Sequence, residues 1–383
     1  MDTTRRPLAG MAAIPIALGL AVMLSPGSLA QGQPPAAADP KIDAMLATIR
    51  DKHKVPGMAG AVVQGDRVVA IGVAGVRKLG SPELITPSDL FHLGSNTKSM
   101  TATRIALLVD EGKLAWTTTV GELFPELKPD MHPDFQKVTL DQLLTHRAGL
   151  PHDAVYPLLK GDTVEERRLS VIRSLCKNPP ATKPGTTMEY SNAGYIIAGA
   201  MAERVTGRSW EDLMRTGLFR PLGMSTAGFG PPGTPGKVDQ PWGHRLLGPL
   251  CLPSQSDNPP VLGPAGRVHA SLTDWAKFVA FHMRGKAPSG LSLKPATLEH
   301  LHTPPAGGDY ACGWVVRPLP WDAKTKAIWH NGSNTMWYAE MWVVPGDDYA
   351  ILVATNQLGD AGVKVCDEAA EALAGWYRSL KRP

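Results

Sequence analysis

The chain has 383 residues, with 39 Lys and Arg against 35 Asp and Glu and a formal net charge of +4. Its 43% hydrophobic and 19% charged residues are ordinary for a soluble globular protein, and its length suits one large domain or two interleaved ones. The small net charge and the absence of any Lys/Arg stripe exclude a nucleic-acid partner held by its phosphates.

The N-terminus departs from this pattern. Arg5 and Arg6 precede an apolar run from Met11 to Leu24, and Ser28-Leu29-Ala30 stands before Gln31. This is the layout of a secretory signal over residues 1–30, too short and too interrupted by Pro15 to be a bilayer span. The expected destination is the periplasm or the exterior, with general and twin-arginine export both open. Cleavage removes Asp2, Arg5 and Arg6 and leaves a net charge of about +3 and no stable membrane anchor. No cysteine before Cys176 could accept a lipid. Residues 31–40 form a Pro/Ala linker.

Beyond the linker, residues 41–53 have helical spacing through Ile42, Met45, Leu46 and Ile49. Residues 59–64 and 67–75 read as strands around the hairpin pair Gly65-Asp66. Residues 95–111 read as a helix with Ala102, Ile105, Leu108 and Val109 on its apolar face and Gly112 as its stop. Short helices are expected within 137–150, ending near Gly149, over 192–205 closed by Gly207, over 209–216 and over 273–283. Residues 230–265 are dense in Pro and Gly and read as irregular. The period then changes: 311–316, 326–330, 336–344 and 349–355 are strand-like, and 365–380 is an amphipathic helix.

Strands at both ends with helices between imply an α+β fold. Its antiparallel sheet, flanked by terminal helices, would be discontinuous (41–92 and 305–383), with a mostly helical domain inserted over 93–304. Four cysteines (Cys176, Cys251, Cys312 and Cys366) permit three disulfide connectivities in an oxidising compartment. His300-Leu301-His302 has no acidic or histidine partner at ligand spacing, so neither a metal nor a cofactor is expected.

The chemistry resides in three short motifs. Ser95-Asn96-Thr97-Lys98 places a hydroxyl and an amine one helical turn apart. A serine is a poor nucleophile until a neighbour accepts its proton. Lys98 could do so once neutral, and a shift from ~10.4 to near 7 takes about 4–5 kcal/mol of environmental bias. The helix N-terminus favours the negative charge that develops at Ser95. Taken alone the motif is weak: Ser95 could be a plain helix cap, and Ser174-Leu175-Cys176-Lys177 is a second copy, cut short by Asn178-Pro179-Pro180.

Tyr190-Ser191-Asn192 follows, offering a phenol to relay protons and an amide to hold Lys98 and a substrate carbonyl. Otherwise Asn192 caps the next helix. His330-Asn331-Gly332 ends a strand-like run, where His330 could bond the substrate's polar end and Gly332 could admit a substrate backbone. Trp314, Trp329, Trp337 and Trp342 would be sheet core or an acyl pocket, and Arg147 and Arg267 surface charges or an anion site.

The order and spacing of these motifs resemble those of the β-lactamase-related serine hydrolases, the group of class C β-lactamases, DD-carboxypeptidases, D-amino-acid peptidases and esterases. Residues 143–151 (Leu-Leu-Thr-His-Arg-Ala-Gly-Leu-Pro), 184–192 and Pro221-Leu222-Gly223-Met224 are similar to family segments, and the likeness spans about residues 41–380. It implies that Ser95 is acylated, that Lys98 and Tyr190 handle protons, and that Asn192, His330 and Gly332 bind substrate. It also implies an oxyanion hole formed by the backbone N–H groups of Ser95 and Ser333. The β-lactamases of the group carry lysine where this chain has His330, so an ester or a D-amino-acid-containing amide is the expected substrate, a cell-wall peptide among the candidates. A β-lactamase and a catalytically silent peptidoglycan-binding relative are the alternatives.

Overall fold

The computed structural model describes residues 38–152 and 160–381, so the expected signal sequence and most of the linker lie outside the described residues. Among the described residues, no helix is long and apolar enough to cross a membrane.

Asp39 caps the first helix, α1 (Pro40–His53), by accepting from Lys41 N–H. The hairpin β1 (Gly57–Gln64) and β2 (Arg67–Gly75) follows, turning at Gly65, whose φ of 64° suits glycine. The middle of the chain is helical, with α2 (Thr97–Asp110), α3 (Asn192–Thr206), α4 (Leu272–Arg284) and α5 (Pro295–His302) as the elements that matter here. The chain ends with β3 (Val315–Leu319), β4 (Asp322–Ser333), β5 (Tyr338–Val344), β6 (Tyr349–Thr355) and the long helix α6 (Asp360–Leu380).

The six strands form one antiparallel sheet in the order β2-β1-β6-β5-β4-β3, in which Met58 of β1 lies opposite Thr355 of β6. Alternation puts Tyr338, Trp342 and Val344 of β5 on one face, packed with Ile42 and Leu46 of α1 and Leu373 and Tyr377 of α6. Ala339, Met341 and Val343 face the other way, into the core shared with Trp275 and Phe278 of α4 and with α2. Both faces are therefore covered, and of Trp314, Trp329, Trp337 and Trp342 all but Trp329 are buried as core.

Several elements differ from the sequence reading. The helix expected to begin at Ser95 starts as a 3-10 turn over Gly94–Asn96 and becomes α-helical only at Thr97. Its one-sided apolar face is also revised, because every residue from Thr97 to Leu108 is buried. The polar ones find partners: Thr101 donates to Pro264 O, and Thr103 meets His282. A helix at Val164–Leu175 went unread, although Thr163 and Glu166 form a capping box at its head. The second Ser-x-x-Lys lies at the end of that helix, where the Ser174 hydroxyl merely donates back to Val171 O. Residues 230–265 contain a hairpin, Gly243–Leu247 with Leu250–Ser254. All four cysteines are free thiols.

Burial depresses six histidines. His146 and His282 fall well below the ordinary value, His244, His269 and His302 to about 4, and His330 to about 3. Burial raises Glu203 to about 7 and Glu340 to about 8. Between pH 6.5 and 4.5 the unfolded chain thus binds more protons at the histidines than the folded chain retains on the two carboxyls, so stability falls as pH falls. The expected slope is about 1.4 kcal/mol per pH unit for each net proton. Calorimetric Tm should drop steeply from pH 6.5 to 4.5, and a flat Tm over that window would contradict the buried, neutral histidines.

Candidate active site

Between Phe91 and Leu108 every residue is buried except Ser95, which is partly exposed. Gly94, with φ of 51°, turns the chain so that Ser95 lies just ahead of α2. Its hydroxyl does not cap the helix: Asn96 holds the capping position and makes no side-chain capping bond. The plain-cap reading of Ser95 is therefore set aside.

Lys98 is fully buried, and burial pushes its amine well below the ordinary lysine range. Its Nζ lies 2.7 Å from Asn192 Oδ1, 2.7 Å from Ala265 O and 2.9 Å from Ser95 Oγ. Two of these neighbours can only accept. A neutral amine has two N–H bonds and one lone pair, so Asn192 and Ala265 take the hydrogens and the lone pair faces the Ser95 hydroxyl. That is the geometry of a general base.

The Tyr190 phenol lies beside Ser95, and its ring lies 4.8 Å below Lys98 Nζ. Burial raises the phenol above its ordinary range, so it stays protonated and serves as a donor or relay, leaving the base role to the amine. Behind it, the buried His146 ring is 4.3 Å from Tyr190 and 4.5 Å from Tyr310, and its Nδ1 accepts from Ser191 N–H.

His330 corrects the expectation that it bonds the polar end of a substrate. It is 3% exposed, and both ring nitrogens are engaged within the protein. Nδ1 faces Asn331 O, which can only accept, so the proton is on Nδ1 and Nε2 accepts from Tyr310 O–H at 2.9 Å. Burial depresses the imidazole to about 3. His330 is thus a neutral positioning group.

Gly332 also admits something other than a substrate backbone. A Cβ there would fall 2.2 Å from Leu93 O and 2.3 Å from Ser95 N, and one on Gly94 would fall 2.1 Å from Ser333 N. The end of β4 and the Ser95 turn meet backbone to backbone, which brings the Ser95 and Ser333 amides to one place.

The sequence reading missed Asp257, in the Pro- and Gly-rich stretch. One of its oxygens lies 2.9 Å from His92 Nε2 and accepts from Asn334 Nδ2 at 2.9 Å, and the other accepts from Arg267 Nε at 2.8 Å. His92 Nδ1 in turn accepts from Gly94 N–H. One carboxylate therefore clamps the residues flanking both Ser95 and Ser333. It resists the upward push of burial through these partners, which hold it down to about 2. Arg267 is committed to Asp257, and Arg147 donates to Ala306 O at 3.4 Å. Asp257→Ala should lower kcat by roughly 10–100-fold with KM little changed, since it loosens both amides without touching the nucleophile. Steady-state kinetics read this split, and a change confined to KM would contradict the clamp.

The model of the Beta-lactamase family matches residues 42–375, nearly the whole of the described chain. The chain belongs to that family. It is a serine hydrolase of β-lactamase fold. It is 29% identical to penicillin-binding protein 4 of Amycolatopsis lactamdurans, across 88% of this chain and 89% of that one. It is 28% identical to an unguisins hydrolase of Aspergillus campestris, of which the match covers 59%. Among solved structures, the D-alanine carboxypeptidase AmpC of Burkholderia cenocepacia superposes with a TM-score of 0.70 at 22% identity, covering 88% of this chain and 97% of that one.

Proposed function

We propose that the protein is an exported hydrolase that cleaves an ester or a D-amino-acid-containing amide through an acyl-enzyme on Ser95. The observation that carries this reading is the fully buried Lys98 amine, held at once by Asn192 Oδ1, Ala265 O and Ser95 Oγ, whose burial favours the neutral form that can take the serine proton. Ser95 Oγ attacks the substrate carbonyl as its proton passes to Lys98 Nζ. The oxyanion is met by the Ser95 and Ser333 N–H groups, an interaction usually worth ~100–1000-fold in rate. Tyr190 protonates the departing alcohol or amine, and water then releases the acyl group with the same residues run in reverse.

The substrate class rests on His330. A buried neutral imidazole bonded to Tyr310 offers no ammonium for the carboxylate of a β-lactam. Export is supported by the composition of residues 1–30 alone.

The test pairs labelling with turnover. A fluorophosphonate or fluorescent penicillin should label the protein and spare Ser95→Ala, and equal labelling of both would remove Ser95 from its role. A panel of p-nitrophenyl esters, D-Ala-D-Ala peptides and nitrocefin, ranked by kcat/KM, decides the substrate. Nitrocefin at the head of the ranking would establish a β-lactamase instead, and labelling without turnover of any member a silent relative.

A further inference from the structure

Three side chains far apart in sequence converge beside the catalytic wall: Asp141 from the short helix Leu140–Leu144, His300 from α5, and Cys312 from the segment before β3. One ligand atom from each lies within 4.8 Å of the other two. His300 Nε2 is 2.9 Å from Asp141 Oδ1, and Cys312 Sγ is 4.0 Å from the same oxygen. A tetrahedral ion with bonds of ~2.0–2.3 Å imposes ligand separations of about 3.3–3.8 Å, which these two distances bracket. His302, the other histidine of the pair, turns away to bond His282. Sequence spacing could not reveal the cluster, because tertiary packing alone assembles it.

We propose that Asp141, His300 and Cys312 form a binding site for a borderline-soft divalent cation of the zinc type. The donor set is a carboxylate, an imidazole and a thiol, which excludes magnesium and calcium by its softness. Once the thiol is ionised, the two anionic ligands balance the charge of the ion. Binding forms the metal–sulfur bond, breaks the S–H bond and releases one proton to solvent. His300 moves its ring proton from Nε2, now directed at Asp141, to Nδ1, freeing the Nε2 lone pair. The side chains of Asp141 and His300 are 32% and 35% exposed, which gives the ion an entry path and leaves the fourth position to water, whereas Cys312 closes the inner side. Trp116 stacks on the His300 ring at 4.2 Å and fixes its plane.

The ion would tie together the segments that support the catalytic centre. Tyr310, two residues before Cys312, bonds His330, and Gly313, just after it, packs so closely on α2 that a Cβ would lie 2.6 Å from Ser99 Cα. The helix carrying Asp141 leads directly to His146.

The test uses the full chain, stripped by a chelator and titrated with Co2+ and then Zn2+. Expected are a cobalt–thiolate charge-transfer band saturating at one equivalent, its loss to added Zn2+, release of one proton, and a rise of several degrees in Tm. Cys312→Ser and His300→Asn should each abolish the one-equivalent band, the second without altering the buried thiol. No thiolate band in the unaltered chain overturns the site whether or not the variants fold, and a band that persists in either variant places the metal elsewhere and overturns it equally. Labelling of Ser95 is independent of these outcomes, so failure here leaves the hydrolase reading intact.

Discussion

Lys98→Arg should lower kcat/KM by roughly four to six orders of magnitude, about as much as removing Ser95 itself, because groups that act as one unit fail together. The substitution preserves a long cationic side chain, so charge alone would predict a mild effect. Lys98 acts here by being uncharged: Asn192 Oδ1 and Ala265 O occupy its two hydrogens and leave a lone pair for the Ser95 proton. A guanidinium has no lone pair to offer and does not lose its proton in proteins. The rate of fluorophosphonate labelling and kcat/KM on the best ester of the panel read the loss, with Tm recorded to separate it from unfolding. A reduction of less than tenfold in a folded variant would show that another group takes the serine proton.

Gly332→Ala should cost about 100–1000-fold in kcat, the range associated with losing one oxyanion donor. The added methyl would lie 2.2 Å from Leu93 O, 2.3 Å from Ser95 N and 2.7 Å from Asn96 N. All three are backbone atoms of the nucleophile turn, so no side chain can swing aside. Either β4 retreats or the turn does, and both movements separate the Ser95 and Ser333 amides. Gly375→Ala is the control: it sits within α6 with nothing within 4 Å of the added methyl, and it should stabilise by about 0.4–1 kcal/mol. Acylation and deacylation should slow together in Gly332→Ala, because the same two amides serve both steps. A normal acylation rate would show that the close contact matters only for packing.

The parts of the site legible in the sequence are those encoded locally. Ser95 and Lys98 are one turn apart, so their contact follows from spacing once a helix is assumed, and Tyr190 and Asn192 flank a helix start that Gly207 closes. The sheet was legible as β-rich, apolar runs at both ends, with β6 placed to the residue. Partners supplied by distant backbone were not. Ala265 O has no sequence signature, and Asp257 looks like one acid in a run of prolines and glycines until folding sets it against His92 and Asn334. His330 was misread for a similar reason. Its burial depends on Tyr310, twenty residues away, and a polar residue at a strand end gives no sign of it. The helix at Val164–Leu175 is a different case, since Thr163 and Glu166 carried a local signal that the reading passed over.

Because Met58 lies opposite Thr355, the first hairpin of the sheet gains its neighbour only after nearly the whole polypeptide has been synthesised. Contacts so remote along the chain make for slow folding and a high loop-closure cost. The turn that presents Ser95 leans on Gly332 and on Ala339, whose carbonyl accepts from Asn96. A nascent chain released before β4 and β5 would therefore carry the serine and the amine without the frame that makes them reactive. Reactivity is in this sense switched on by the closing stretch of translation, and an incomplete product would not acylate itself on passing substrates.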